Sequence, residues 1–195
     1  MEQQLHDLFA KNNGYLTSKL IRGNRSNYYQ LKEMLEEGSV IQIKRGLYRH
    51  VNITEEANWG EVCKSIPQGV LCLFSAWQFY HLSTTISPII HIAIPVRKKP
   101  LLPDFPPVQI YFWSADYFGI GQTKTSYNGE EITIYDLEKS VCDAIRYRNK
   151  VGIDITTEVL RNYLKKKDRN LDKIMKYAEK MRISSVMQQY IQMML

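Results

Sequence analysis

No stretch of about 18 consecutive apolar residues occurs in the chain, so no segment reads as a membrane span. The N-terminal "MEQQLHDLF" is acidic and amphipathic, without the basic and then apolar regions of a secretion signal, so the cytoplasm is the expected compartment. Cysteine is scarce: Cys63, Cys72 and Cys142 are odd in number, far apart and never arranged as CxxC. Neither a disulfide framework nor a zinc site is indicated, and three reduced, mostly buried thiols are expected. His6, His50, His81 and His91 are scattered, with no HxxxH pair and no Cys at ligand spacing, so no metal is expected. Gly119-Ile120-Gly121 lacks the partners of a dinucleotide loop, and no nucleophile–base pair is visible. No cofactor is expected. Internal repeats and low-complexity tracts are missing as well.

What remains is a chain of 195 residues, 44% hydrophobic, with a formal charge of +6. That length suits two domains. A positive balance fits a polyanion but decides little until the charge is placed. The clearest break in pattern is "RHVNITEEANWG", residues 49–60. A second irregular stretch, "VRKKPLLPDFPP" (96–107), is rich in proline, which neither donates to a ladder nor continues a helix, so it reads as a surface loop.

Within the first fifty residues, Leu5, Leu8 and Phe9 fall at helical spacing, and Asn12-Asn13-Gly14 ends that helix. Thr17 can cap a short helix over 18–22, Gly23-Asn24-Arg25 reads as a tight turn, and Ser26 as the N-cap of a longer helix closed by Gly38. In that helix the spacing predicts Tyr28, Leu31, Met34 and Leu35 inward, with Asn27, Gln30 and Glu33 outward. Two strands, "VIQI" and "GLYRH", follow around a Lys44-Arg45-Gly46 bend. Helix, short helix, turn, longer helix and hairpin is the order of a winged helix-turn-helix.

That order assigns roles. N-terminal residues of the second helix meet base edges, where Asn27 or Gln30 can pair adenine and Arg25 can pair guanine. Thr17, Ser18 and Ser26 suit phosphates, and Lys19 and Arg22 add charge along the backbone. Lys44 and Arg45, at the tip of the wing, gain counterion-release free energy against a duplex. Tyr29 either flanks the groove or packs on the wing.

The rest reads as a mixed α/β domain, residues 52–195, with a small sheet and a helical C-terminus. Thr54 is the expected cap of a helix carrying Trp59, Val62, Cys63 and Ile66 inward; Trp77 and Trp113 are expected in the same core. "IIHIAIPV" and "VQIYFW" read as strands, and Ile132 and Ile134 as part of another. Asp136 is the expected cap of a helix with Leu137, Val141, Ala144 and Ile145 inward, and Asp136 and Glu138 are expected on different faces. Asp143 is either a paired buried carboxylate or exposed. Arg161, Lys165, Lys166, Lys167 and Arg169 open a basic run that is either a solvated face or a second patch for nucleic acid.

"GYLTSKLI…LKEMLEEGSVIQIKRGLYR", followed by "LCLFSAWQFYHLS", "IHIAIPV" and "ITIYDLEKSVCDAIRYRNKVGID", resembles AbiEi-type antitoxins of type IV toxin–antitoxin pairs over nearly the whole chain. The motifs are short, and their combination and order carry the likeness. The resemblance implies an α+β protein with an N-terminal winged helix and a C-terminal antitoxin domain. It implies a non-enzymatic repressor that binds double-stranded DNA at its own promoter and opposes a nucleotidyltransferase toxin without a stable complex. In that family the C-terminal domain is needed for antitoxicity and helps to bind DNA. The alternatives are a protein-interaction module of a defence system whose winged helix does not touch DNA, and a metal-dependent nuclease built on Pro103-Asp104 with Gln122-Thr123-Lys124.

Overall fold

The computed structural model describes residues 2–12, 14–52, 59–96, 100, 102 and 106–194. The chain divides into two units, Met1–Asn58 with Pro103–Pro107, and Trp59–Leu102 with Val108–Leu195. The architecture is α+β with two small sheets and a helical C-terminus. No helix among the described residues is long and apolar enough to cross a membrane.

The first unit begins with α1 (Glu2–Lys11), whose Leu5 and Phe9 share one face and are buried. The Asn12 side chain donates to the Leu8 carbonyl, and the Gly14 amide donates to that of Phe9, which ends the helix. β1 (Tyr15–Thr17) follows. The expected helix over 18–22 does not form. Three successive turns replace it, with the amides of Leu20, Arg22 and Asn24 each donating three residues back, to Thr17, Lys19 and Ile21. The cause lies upstream: Tyr15 and Leu16 are buried, and they commit their backbone to a sheet. Thr17 pairs with Leu47 in that ladder and is not a cap. The five residues left are too few to offset helix nucleation.

α2 (Arg25–Glu36) is capped by Asn24, whose side chain accepts from the Asn27 amide at 3.1 Å, and not by Ser26. β2 (Val40–Lys44) and β3 (Leu47–His50) form an antiparallel hairpin around Arg45-Gly46, and the sheet order is β1-β3-β2. Leu5, Phe9, Leu16, Ile21, Leu31 and Val40 make the core of this unit. Gly46 has φ +78°, and a Cβ there would lie 2.8 Å from Ser18 Oγ. The Ser18 amide also donates to the Gly46 carbonyl at 2.8 Å, so the hairpin turn is tied to the start of the turn segment.

The second unit runs α3 (Trp59–Ser65), β4 (Val70–Leu71), α4 (Leu73–Phe79), β5 (Ile90–Pro95), β6 (Val108–Trp113), α5 (Ala115–Phe118), β7 (Gln122–Tyr127) and β8 (Glu130–Tyr135). Four helices follow: α6 (Leu137–Val151), α7 (Ile153–Leu164), α8 (Leu171–Lys180) and α9 (Ser184–Gln192). The strand order is β6-β5-β4-β8-β7, with β5/β6 and β4/β8 parallel and the other pairs antiparallel. Trp59, Trp77 and Trp113 are buried, as are Cys72 and Cys142, whereas Cys63 is half-buried; all three thiols are free. Thr54 lies outside the described residues. β7 escaped the sequence reading because "QTKTSY" has no apolar alternation. It is an edge strand, held along its length by β8 and polar on both faces.

α6 organises this unit. Every residue from Leu137 to Ile145 is buried, polar ones included. The Asp136 carboxylate accepts from the Lys139 amide at 2.9 Å and caps the helix as expected. Lys139 pairs with Asp143 one turn on, both at most 1% exposed. The Lys139 ammonium also lies 4.1 Å from the Trp113 ring centroid and 4.4 Å from that of Tyr135, so two aromatic faces replace part of its lost hydration. Asp136 and Glu138 do not diverge. The Lys173 ammonium of α8 reaches both carboxylates at 3.1 Å, and the Tyr177 hydroxyl donates to Asp136 at 2.9 Å, which pins α8 onto the start of α6.

Breaking one half of a buried pair strands the other charge. Lys139→Met is therefore expected to lower unfolding free energy by about 3–5 kcal/mol in urea titration, and the double change Lys139→Met, Asp143→Leu to recover most of that loss. In the first unit, Gly46→Ala should cost about 1–2 kcal/mol, because Ala carries a Cβ in the left-handed region. Gly46→Asn should cost less, because Asn tolerates that backbone conformation.

Candidate nucleic-acid interface

The sequence reading and the structure differ first in how α2 is rotated. Asn27, expected outward, is 4% exposed and packs beside Leu31, while Tyr28, expected inward, is 62% exposed. Starting the helix after Asn24 puts the amide of Asn27 on the cap, and the buried stripe runs through Asn27, Leu31, Met34 and Leu35. Two solvent flanks result. Arg25, Tyr28, Tyr29 and Lys32 follow one another at helical spacing along one of them. Ser26, Gln30, Glu33 and Glu37 follow at the same spacing along the other.

The first flank lines a groove of about 720 Å³ together with Ser18, Lys19, Ile21, Arg22, Gly23 and Asn24 of the turn segment. Four cations, Lys19, Arg22, Arg25 and Lys32, stand around it, and no carboxylate is among its described lining residues. Tyr28 and Tyr29 are 62% and 57% exposed. The Arg25 guanidinium lies 6.0 Å from the Tyr29 ring centroid. Lys32 sits 3.6 Å from Glu36 on the open surface, a contact that does little to neutralise it. The groove lies along the N-terminal half of α2, where the helix dipole also favours an anion.

Of the residues expected to face DNA, Ser18, Lys19, Arg22, Arg25 and Tyr29 meet at this groove. Thr17 is half-buried in β1. Asn27 is in the core. Ser26 is exposed on the acidic flank, and Gln30 is half-buried there, its Oε1 enclosed without a hydrogen-bond partner among the described residues. Arg45 is exposed at the hairpin turn. The Lys44 backbone ends β2, and its side chain lies outside what is described. The reading missed Tyr28 and Lys32. Their signal is present in the spacing from Arg25, and it is hidden where the apolar ring of Tyr28 is read as a core residue.

In the second unit, Arg161 lies in the last turn of α7, and Lys165, Lys167 and Arg169 are exposed in the connection to α8, with Lys166 half-buried. Cations at a helix C-terminus complement its dipole. The Arg169 guanidinium donates to the Lys166 carbonyl at 2.9 Å, and Lys173 further along is held by Asp136 and Glu138.

Of the residues considered for a nuclease, Pro103 and Asp104 lie outside the described residues. The Gln122 amide donates to the Phe118 carbonyl at 2.6 Å, and Lys124 pairs with Glu131 at 2.8 Å. No group of three or more His, Cys, Asp or Glu that could hold a metal occurs among the described residues. His91 is bracketed by the Tyr111 hydroxyl at 2.8 Å and Ser87 Oγ at 3.0 Å, and its own amide donates to Ser75. Burial pushes its imidazole down to about 4, which keeps the ring neutral near pH 7.

Compared with models of known protein families and with curated proteins, the chain matches none.

The depressed His91 imidazole makes stability pH-dependent. Below pH 6.5 the unfolded chain takes up a proton that the folded chain refuses, so stability falls as pH drops from about 6.5 to about 4. The contribution reaches about 3 kcal/mol at the lower end. His91→Gln should flatten this part of a urea-unfolding profile taken across pH.

Proposed function

We propose that the protein is a DNA-binding transcriptional repressor of the antitoxin kind, with a winged helix as its first unit. The element order α1-β1-turns-α2-β2-β3 with sheet order β1-β3-β2 supports the winged-helix reading. The observation that carries DNA binding is the groove beside α2, with four cations, two exposed tyrosines and no carboxylate among its described lining residues. Phosphates of a duplex are drawn to such a surface by Coulomb attraction and by release of condensed counterions. The acidic flank with Glu33 and Glu37 repels the same phosphates, so the helix is oriented by charge before any base is read.

In this reading the target is double-stranded DNA at the protein's own promoter, and Arg45 at the hairpin turn adds a backbone contact beyond the groove. The role opposite a nucleotidyltransferase toxin, without a stable complex, rests on the resemblance to AbiEi-type antitoxins. The second unit would carry that role, and the basic connection between α7 and α8 would supply its DNA contacts.

Gel shift with a duplex from upstream of the gene is expected to show binding that weakens steeply as salt rises. Lys19→Ala with Lys32→Ala should weaken every duplex alike and reduce the slope of log affinity against log salt by about 2. Equal binding to random duplex, or an unchanged slope, contradicts the proposal.

A further inference from the structure

Phosphate attraction accounts for the cations of the groove but not for two neighbouring tyrosines. A ring that is more than half exposed leaves apolar surface in water that burial would remove at about 25 cal/mol per Å². Tyr28 and Tyr29 both do so, side by side, between Arg25 and Lys32 on one helix flank. The surrounding cations bring a nucleic acid to them. In the major groove of a duplex the apolar group on the base edges is the C5-methyl of thymine, whereas the other edge features are hydrogen-bond donors and acceptors. The rings also project from the N-terminal half of α2, the part of a recognition helix that reaches base edges.

We infer that Tyr28 and Tyr29 are specificity-determining residues that read thymine methyl groups through their ring carbons, so that the protein selects duplexes with thymine at the positions beneath them. The inference rests on the DNA-binding reading above and deepens it. The hydroxyls are secondary. The cations set overall affinity, and the rings set preference.

The test is fluorescence anisotropy of the full chain with two duplexes from upstream of its gene, identical except that one carries deoxyuridine in place of every thymine. Pairing is unchanged, and only the methyl groups are gone. The deoxyuridine duplex is expected to bind roughly fourfold more weakly for each methyl contacted, about 0.8 kcal/mol apiece. Tyr28→Ala with Tyr29→Ala should bind the thymine duplex more weakly and lose the difference between the two. Tyr28→Phe with Tyr29→Phe should keep the difference. Because both rings are exposed, the variants should unfold at the wild-type temperature.

Equal wild-type binding to the two duplexes overturns the inference and leaves the DNA-binding reading standing. A difference that survives in the double Ala variant, or is lost in the double Phe variant, overturns it as well. Tighter binding to the unpaired strand than to the duplex would assign the rings to base stacking and also overturn it. No binding to either duplex removes the reading beneath it, and the inference with it.

Discussion

The hydrogen bond from the Asn27 amide to the Asn24 side chain sets where α2 begins, and burial of Asn27 and Leu31 sets which side chains it shows to solvent. Once the helix starts at Arg25, burial of Asn27 and Leu31 turns a flank of Arg, two Tyr and Lys toward the turn segment. The same rotation sends Glu33 and Glu37 the other way. Glu36 stays beside Lys32 at the C-terminal end of the first flank, so the N-terminal part of that flank has the positive charge and the apolar surface that a polyanion with methylated bases would meet.

The turn segment matters as much as the helix. Because Tyr15 and Leu16 belong to the sheet, residues 18–23 cannot complete a helix, and they fold as consecutive turns that carry Lys19 and Arg22 to the groove. The Ser18 amide then ties this segment to Gly46 in the hairpin. Groove, turn segment and hairpin are thus linked by backbone hydrogen bonds, and the lining cations are supported by fixed backbone rather than by one another.

Much of this was legible in residue patterns. Leu5 and Phe9 in α1, the hairpin around Arg45-Gly46, the strands of "IHIAIP" and "VQIYFW", and the Asp136 cap all follow from periodicity and turn chemistry. The misses have physical causes. β7 is an edge strand with no apolar face, so no alternation marked it. β1 is three residues long, below what period-2 counting detects. Tyr28 and Asn27 exchange the places that apolar character alone assigns them. Here a polar side chain beside the cap is buried, and an aromatic one is left in water, a departure expected where surface residues are kept for contact. The pairing of Lys139 with Asp143 under the Trp113 and Tyr135 rings was open in the sequence, because only the packing of β6 and β8 against α6 decides whether a helical carboxylate is buried.

The central claim is that the flank of Arg25, Tyr28, Tyr29 and Lys32, and not that of Ser26, Gln30, Glu33 and Glu37, meets the duplex. An NMR titration of the labelled protein with upstream duplex DNA tests it most directly, through side-chain and amide shifts along α2. The largest changes should fall on the first four residues and on Lys19 and Arg22. Changes centred on the second four, or none along α2 while DNA binds, would contradict it.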